Sequence, residues 1–494
     1  MHCKTLFSFI LFALCVAGCK KWDDHTRVEN QNLTKTLAAE ISQHANLSRF
    51  YEYLQKTGLD KELASSKTYT VWAPVNDALQ TLDPAVVADS ARLRQFVANH
   101  ISYESYFTTT QTGIRIPLLN GKRVFFAGKK FDEATVTEAD KTVGNGVLQV
   151  IDKAATVYPN AWELVNNTRT LFQQNAFVLS LTRKVFDATN AVVDSINAQT
   201  GQPVYRPGTD SVLRNSFNTA VYDLQSEEKQ YTYFILADAA FTAETAKLTA
   251  YFKTGTADST KNIAQYAVAK DLIVEGEYAL AQLPAVLVSK FGVKIPVDKS
   301  RILETRRLSN GVAYVISALS FDVKEKVPAV VVQGESYRGF FDAAGVAVAP
   351  RQNNVSAIFI RSRINPVSGF PFTDMFAYNH GISALGVLYQ VFNLPSVKYK
   401  VYWVAVNDTL IVDRANAVVP AVFSQRLAMG AIGANFLPNA TGQSVNPLSY
   451  TETYIGDWVQ PSYGTLNMYL TAAASTAVAT NKLNLDYIRL VPDL

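Results

Sequence analysis

The feature that most constrains this chain is an internal repeat. The block Thr70-Val71-Trp72-Ala73-Pro74-Val75-Asn76-Asp77-Ala78-Leu79 has a counterpart in Thr232-Tyr233-Phe234-Ile235-Leu236-Ala237-Asp238-Ala239-Ala240-Phe241. A second block, Asn145-Gly146-Val147-Leu148-Gln149-Val150-Ile151-Asp152, is echoed by Asn310-Gly311-Val312-Ala313-Tyr314-Val315-Ile316-Ser317. Thr232 lies 162 residues after Thr70 and Asn310 lies 165 after Asn145, so nearly the same length separates the blocks in both copies. Two echoes at a matching offset mean that one supersecondary unit is used twice.

The local physics of the blocks is legible. Val71 and Trp72 make a short strand, Pro74 ends it, and Asn76 or Asp77 is placed to cap a following helix. Upstream, Leu47, Phe50, Tyr51 and Leu54 recur at i, i+3, i+4 and i+7, one face of a helix that Gly58 stops. Asn145-Gly146 is a hairpin turn signal and 147–151 the strand that leaves it; Asn120-Gly121 repeats the signal between 116–119 and 124–126.

These residues resemble the fasciclin domain. That family opens with helices, has a strand–loop–helix box like 70–79, a second box around a histidine like Asn99-His100-Ile101, and closes on a stretch like 145–152. The resemblance covers 31–157 and extends, with changes, over 160–325. There Leu236 replaces Pro74, Tyr266-Ala267-Val268 takes the place of the histidine box, and a polar insertion occupies 187–229. The resemblance implies an α+β fold, a β-wedge with packed helices, and an association with cell adhesion and with protein or polysaccharide contacts.

Beyond Pro328 helical spacing fades. β-Branched or aromatic runs at 330–333, 357–360, 401–406, 465–470 and 485–490 recur between turn clusters, the pattern of a β-sandwich over 328–494. Alternation puts Tyr399, Val401, Trp403 and Ala405 on one strand face and Tyr402, Val404 and Val406 on the other. The opening Val330-Val331-Val332-Gln333-Gly334-Glu335-Ser336-Tyr337 and the ending Leu483-Asn484-Leu485-Asp486-Tyr487-Ile488-Arg489-Leu490 resemble the first and last strands of the galactose-binding-like jelly roll found in carbohydrate-binding modules. The expected architecture is two α+β fasciclin-like domains followed by an all-β jelly-roll sandwich.

The N-terminus reads as an export signal: Lys4, an apolar run over 6–16, and the small residues Ala17-Gly18. The run is shorter than the roughly 20 residues a spanning helix needs. Val16-Ala17-Gly18-Cys19 resembles the lipobox of bacterial lipoproteins, which implies removal of 1–18, lipid on Cys19 and a tether over 19–30. Lys20-Lys21-Trp22-Asp23-Asp24 resembles the signal that routes Bacteroidetes lipoproteins to the outer face of the outer membrane, so a lipid-anchored, cell-surface location is expected. The only cysteines are Cys3, Cys15 and Cys19. The processed chain therefore has no disulfide and no free thiol chemistry.

Little points to catalysis. A net charge of +4 without a dense basic stripe argues against nucleic acid. His25, His44, His100 and His380 fall at no metal-ligand spacing, no phosphate loop or dinucleotide fingerprint is present, and neither a metal nor a cofactor is expected. Gly381-Ile382-Ser383-Ala384-Leu385-Gly386, after His380, is one residue too long for a hydrolase elbow and reads as a loop. His100 reads as a buried structural histidine, and Asp77 and Asp238 as helix caps. What hints at a ligand is aromatic density after 328: Trp458 flanked by Asp457 and Gln460, with Tyr454, Tyr463 and Trp403. Sugar C–H faces pack on such rings while neighbouring polar groups take the hydroxyls. The expected function is non-enzymatic: a surface lipoprotein binding glycan, accessory to a TonB-dependent importer, or alternatively an adhesin whose fasciclin copies contact protein or matrix partners.

Overall fold

The turn and strand signals around the first pair of blocks assemble into one sheet. A computed structural model of the chain describes residues 31–109, 112–352, 355–378, 380–408, 422–472 and 481–494; the segments read as an export signal and a tether, with Cys19, lie outside the described residues. The seven strands run in the order Ile101–Ser102, Tyr69–Pro74, Gly146–Ile151, Ala134–Val143, Lys130–Phe131, Arg123–Ala127, Ile114–Pro117. Tyr69–Pro74 and Gly146–Ile151 pair in parallel and both are buried along their whole length, as a strand covered on two faces must be. The periodic face upstream is the helix Ser48–Thr57, ended by Gly58 at φ 72° in the left-handed region, with Leu47, Phe50 and Leu54 in the core.

The second pair of blocks builds the same strand order: Ile273–Glu275, Tyr231–Leu236, Gly311–Ile316, Ile302–Leu308. The correspondence extends to single hydrogen bonds. Asn145 Oδ1 accepts from Leu37 N–H at 2.7 Å, and its amide donates to Leu63 O and Ser65 O. Asn310 Oδ1 accepts from Ala161 N–H at 2.8 Å, and its amide donates to Leu224 O and Ser226 O. Each buried amide thus satisfies a backbone donor at a helix start and two loop carbonyls. Thr70 and Thr232 each donate a hydroxyl to a backbone carbonyl and accept a backbone N–H.

Two sequence expectations for the second copy are corrected. The counterpart of the histidine box is Asp271-Leu272-Ile273, not Tyr266-Ala267-Val268: Trp72 N–H bonds to His100 O, and Phe234 N–H to Leu272 O. The helix before it is longer, 13 residues at Ala257–Ala269 against 9 at Ser90–Ala98, and a fixed offset misplaces the box. The insertion begins earlier than expected, as the hairpin Thr182–Phe186 with Ser211–Asn215 carrying a smaller hairpin, Val193–Ile196 with Pro203–Tyr205. The capping assignments change too. Asn76 accepts from Arg49 N–H and donates to Ala45 O and Ser48 Oγ, pinning the preceding loop. Asp77 opens a 3-10 turn, Asp77–Leu79, and accepts from the Gln80 amide. Asp238 accepts from Gln173 N–H at 2.7 Å, at the start of the helix Gln173–Ser180 rather than its own.

The C-terminal region is a β-sandwich. One sheet runs Val330–Gln333, Tyr487–Pro492, Lys398–Val404, Thr453–Val459; the other runs Gly339–Phe341, Gly386–Leu394, Gly464–Ala472, Phe423–Met429, Phe436–Leu437. Their inner faces share a core that includes Tyr389, Tyr399, Trp403, Leu427, Met468 and Leu490. The ending expected to form a single strand is divided at Asp486. Leu483–Leu485 joins a third sheet beside Pro371–Ala377, while Tyr487–Pro492 enters the first. The described residues form two compact units, one within 31–164 with 224–231 and 307–312, the other within 165–223, 232–306 and 313–494.

Candidate functional site

The outer face of the sheet carrying Lys398–Val404 concentrates exposed aromatic and charged groups. Period-two alternation sends Lys398, Lys400 and Tyr402 outward, opposite the buried Tyr399, Val401 and Trp403. Tyr402 stands directly across from Tyr454 on the edge strand Thr453–Val459, their ring centroids 5.4 Å apart. Tyr454 is 49% exposed, and its hydroxyl donates to Asp457 Oδ1 at 2.7 Å. Asp457 Oδ2 is paired with Lys398 at 2.7 Å, which holds its carboxyl below the usual range. On the next strand the Arg489 guanidinium lies 4.9 Å from the centre of the Tyr402 ring and grips Glu452 through both Nε and Nη2. The face is therefore an aromatic pair flanked by oriented carboxylates and cations.

Only part of the expected constellation is brought together. Tyr454 and Asp457 share this outer face. Trp403 is excluded as a ligand contact: it is 1% exposed in the sandwich core, where no solute can reach its ring. Trp458 lies across from Tyr399, on the opposite side of its strand from Asp457, so the two do not form one site. Its ring is partly buried against the core, and its indole N–H donates to Gln460 Oε1 at 3.0 Å. Tyr463 belongs to a different cavity. Lys398, Arg489 and Glu452, which sequence reasoning missed, become neighbours only when three strands distant in sequence lie side by side. The alternation signal over 398–404 could have nominated Lys398. His380 is buried and accepts weakly from Ile382 N–H at 3.3 Å. Among the described residues no group of three or more His, Cys, Asp or Glu is placed to hold a metal ion, and no helix is long and apolar enough to cross a membrane.

A second concave feature lies on the first copy of the repeat. A pocket of about 570 Å³ is lined by Leu82, Val86, Phe96, Ala155 and Val157, with Arg92 beside them. Beneath it His100 is fully buried, donating from Nδ1 to Phe96 O at 2.8 Å while Nε2 accepts from Ala155 N–H at 2.9 Å. Residues 45–156 match the family model of the fasciclin domain. In this fasciclin domain the histidine thus braces the two walls of the pocket and presents no free nitrogen to a ligand. No curated protein matches the chain. Among solved structures, a FAS1 domain pair from the insect cell adhesion molecule fasciclin I is 17% identical, covers 57% of this chain and 99% of its own, and has a TM-score of 0.23. The CBM36-1 domain of a multidomain xylanase from the hindgut metagenome of Trinervitermes trinervoides is 14% identical over 33% of this chain and 96% of its own, with a TM-score of 0.20. A family 35 carbohydrate binding module from Clostridium thermocellum is 12% identical over 33% and 97%, with a TM-score of 0.21. At such scores the sheet order described above, rather than these likenesses, defines the sandwich.

Proposed function

We propose that the chain is a lipid-anchored extracytoplasmic binding protein that holds surface glycans on the outer face of its C-terminal sandwich. The observation that carries this reading is the Tyr402–Tyr454 pair with Asp457, Lys398, Arg489 and Glu452 around it. An exposed ring takes the C–H face of a sugar. The carboxylates and cations beside it, already held by one another, meet hydroxyls with little ordering cost. Calorimetric titration of the protein with glycans selected on an array tests the idea. Tyr454→Ala is expected to weaken binding by about 1–3 kcal/mol while leaving the melting temperature unchanged. Undiminished affinity in that variant would remove the site.

The surrounding architecture is proposed as two fasciclin domains, 31–157 and 160–325, ahead of a jelly roll at 328–494. Support for the second domain comes from the recurrent Asn145/Asn310 and Thr70/Thr232 hydrogen bonds. Lipid on Cys19, display at the outer face of the outer membrane and service to a TonB-dependent importer rest on the N-terminal motifs. Cys19→Ser should release the folded protein from membranes. The adhesin reading is favoured by the fasciclin domain itself and its apolar pocket. Glycan-independent capture of a protein ligand, abolished by Val86→Glu, would favour it over the sandwich.

A further inference from the structure

Tyr463 lines a cavity of about 420 Å³ between the second copy of the repeat and the sandwich, within one compact unit. The joint is hydrogen-bonded: Ser396 N–H to Tyr251 O at 2.8 Å, Lys253 N–H to Ser396 Oγ at 2.8 Å, and Tyr463 N–H to Lys253 O at 2.6 Å. These bonds hold the walls in place without a ligand. Five aromatic rings line the space, Phe252, Tyr266, Phe291, Phe392 and Tyr463. Phe252 and Tyr463 meet edge to face at 5.4 Å. The strand Gly386–Leu394 bulges between Val391 and Leu394, with Asn393 in the left-handed region at φ 57°. Bulges and strained backbone of this kind gather at binding sites. Here they accompany a Phe392 that is 56% exposed and lines the cavity.

Few polar groups line the cavity, and three of them are uncommitted. Tyr266 and Tyr463 are half-buried, and neither hydroxyl has a hydrogen-bond partner among the described residues. The ammonium of Lys270 lies 4.2 Å from the centre of the Phe291 ring and pairs with no carboxylate among the described residues. The other charges are taken. Lys326 is held by Asp271 and by Ala267 O, both at 2.7 Å, and Glu325 by Lys294 at 2.9 Å. The lining is thus apolar on several sides, with one unneutralised cation and two hydroxyls.

We infer that this cavity binds a small aromatic monocarboxylate. Its volume suits a compact ligand. Aromatic walls on several sides match a flat apolar ring. A sugar, with hydroxyls around its whole equator, would leave most of them unpaired against these walls. Lys270 supplies a charge-assisted bond to the carboxylate, and the two phenols take a ring substituent. The site is separate from the glycan face and stands without it.

Titration calorimetry of the full chain with 4-hydroxycinnamate is the test. Saturable binding is expected, with affinity lowered about tenfold or more in Lys270→Met. 4-Hydroxycinnamamide, which lacks the charge, should bind wild type and Lys270→Met alike. Tyr454→Ala should leave 4-hydroxycinnamate binding unchanged, which separates this site from the glycan face. Phe392→Ala, at an exposed position, should also weaken binding while preserving the melting temperature, so a fold defect in one variant cannot hide the result. Absence of saturable binding, equal affinity in Lys270→Met, or displacement of 4-hydroxycinnamate by glucuronate at comparable concentration would overturn the assignment.

Discussion

His100 shows how far a single buried side chain ties stability to pH. Burial pushes its imidazole down to about 4, with the Phe96 carbonyl pulling more weakly the other way. Nε2 already accepts from Ala155 N–H, so a second proton would set two donors against each other. The unfolded chain takes up that proton near pH 6.5 while the folded chain does not. The contribution is therefore intact above about pH 6.5 and is lost as pH falls toward 4, by about 3 kcal/mol in all. Thermal melts across this window should show the loss. His100→Gln, which keeps a donor and an acceptor but gains no proton, should flatten it. Gly146 and Gly311 are equally determined by local geometry. At φ 150° and 138°, a Cβ at either position would lie 1.9 Å from the carbonyl oxygen of Tyr69 or Tyr231. Alanine at either position is expected to cost about 2–5 kcal/mol in chemical denaturation, and a loss below 1 kcal/mol would mean the strand pair can part without penalty.

Among elements, the short helix Val323–Lys326 is fastened by a buried ion pair, besides the more exposed pair of Glu325 with Lys294. Lys326 and Asp271 are buried together, and Asp271 also accepts from Ser289 Oγ at 2.5 Å. Removing the lysine alone leaves a buried carboxylate uncompensated. Lys326→Met should destabilise by about 3–5 kcal/mol, whereas replacing both partners by apolar residues should recover much of the loss. A urea titration of the single and double variants decides this. The two faces of the strand Lys398–Val404 make a matched contrast. Trp403→Ala should lower stability by about 3–5 kcal/mol, while Tyr402→Ala, on the outer face, should act mainly on glycan affinity.

For the whole molecule, burial decides which segments a protease can reach. The stretch 324–328 carries the buried Lys326 and Val327 and is not a free linker. The hairpins of the insertion, by contrast, expose Val193, Ile196, Val204 and Leu213, and Arg206 is exposed beside the inner one. Limited thermolysin digestion should cut first before the exposed Ile196, and the nicked protein should melt like the intact one because the insertion adds little to the core. A first cut within 70–79, where the strand Tyr69–Pro74 is buried throughout, would contradict the fold.

What could be read directly from the chain was short-range or repeated. The echo of Asn145-Gly146 in Asn310-Gly311, the helix stop at Gly58 and the alternation around Trp403 depend on turn chemistry and side-chain period, which a few residues encode. The same alternation already placed Trp403 beside Tyr399 and Val401, and its burial with them shows that face to be the core. Tertiary structure decided the rest. Asp457 and Trp458 are adjacent in sequence and sit on opposite sides of one strand. Tyr454, Arg489 and Lys398 lie far apart along the chain and meet through strand pairing. The cavity shared by Tyr266 and Tyr463 exists only because a helix of the repeat packs against a strand of the sandwich. Which distant segments become neighbours is set by how apolar faces bury one another over the whole chain, and no local pattern carries that choice.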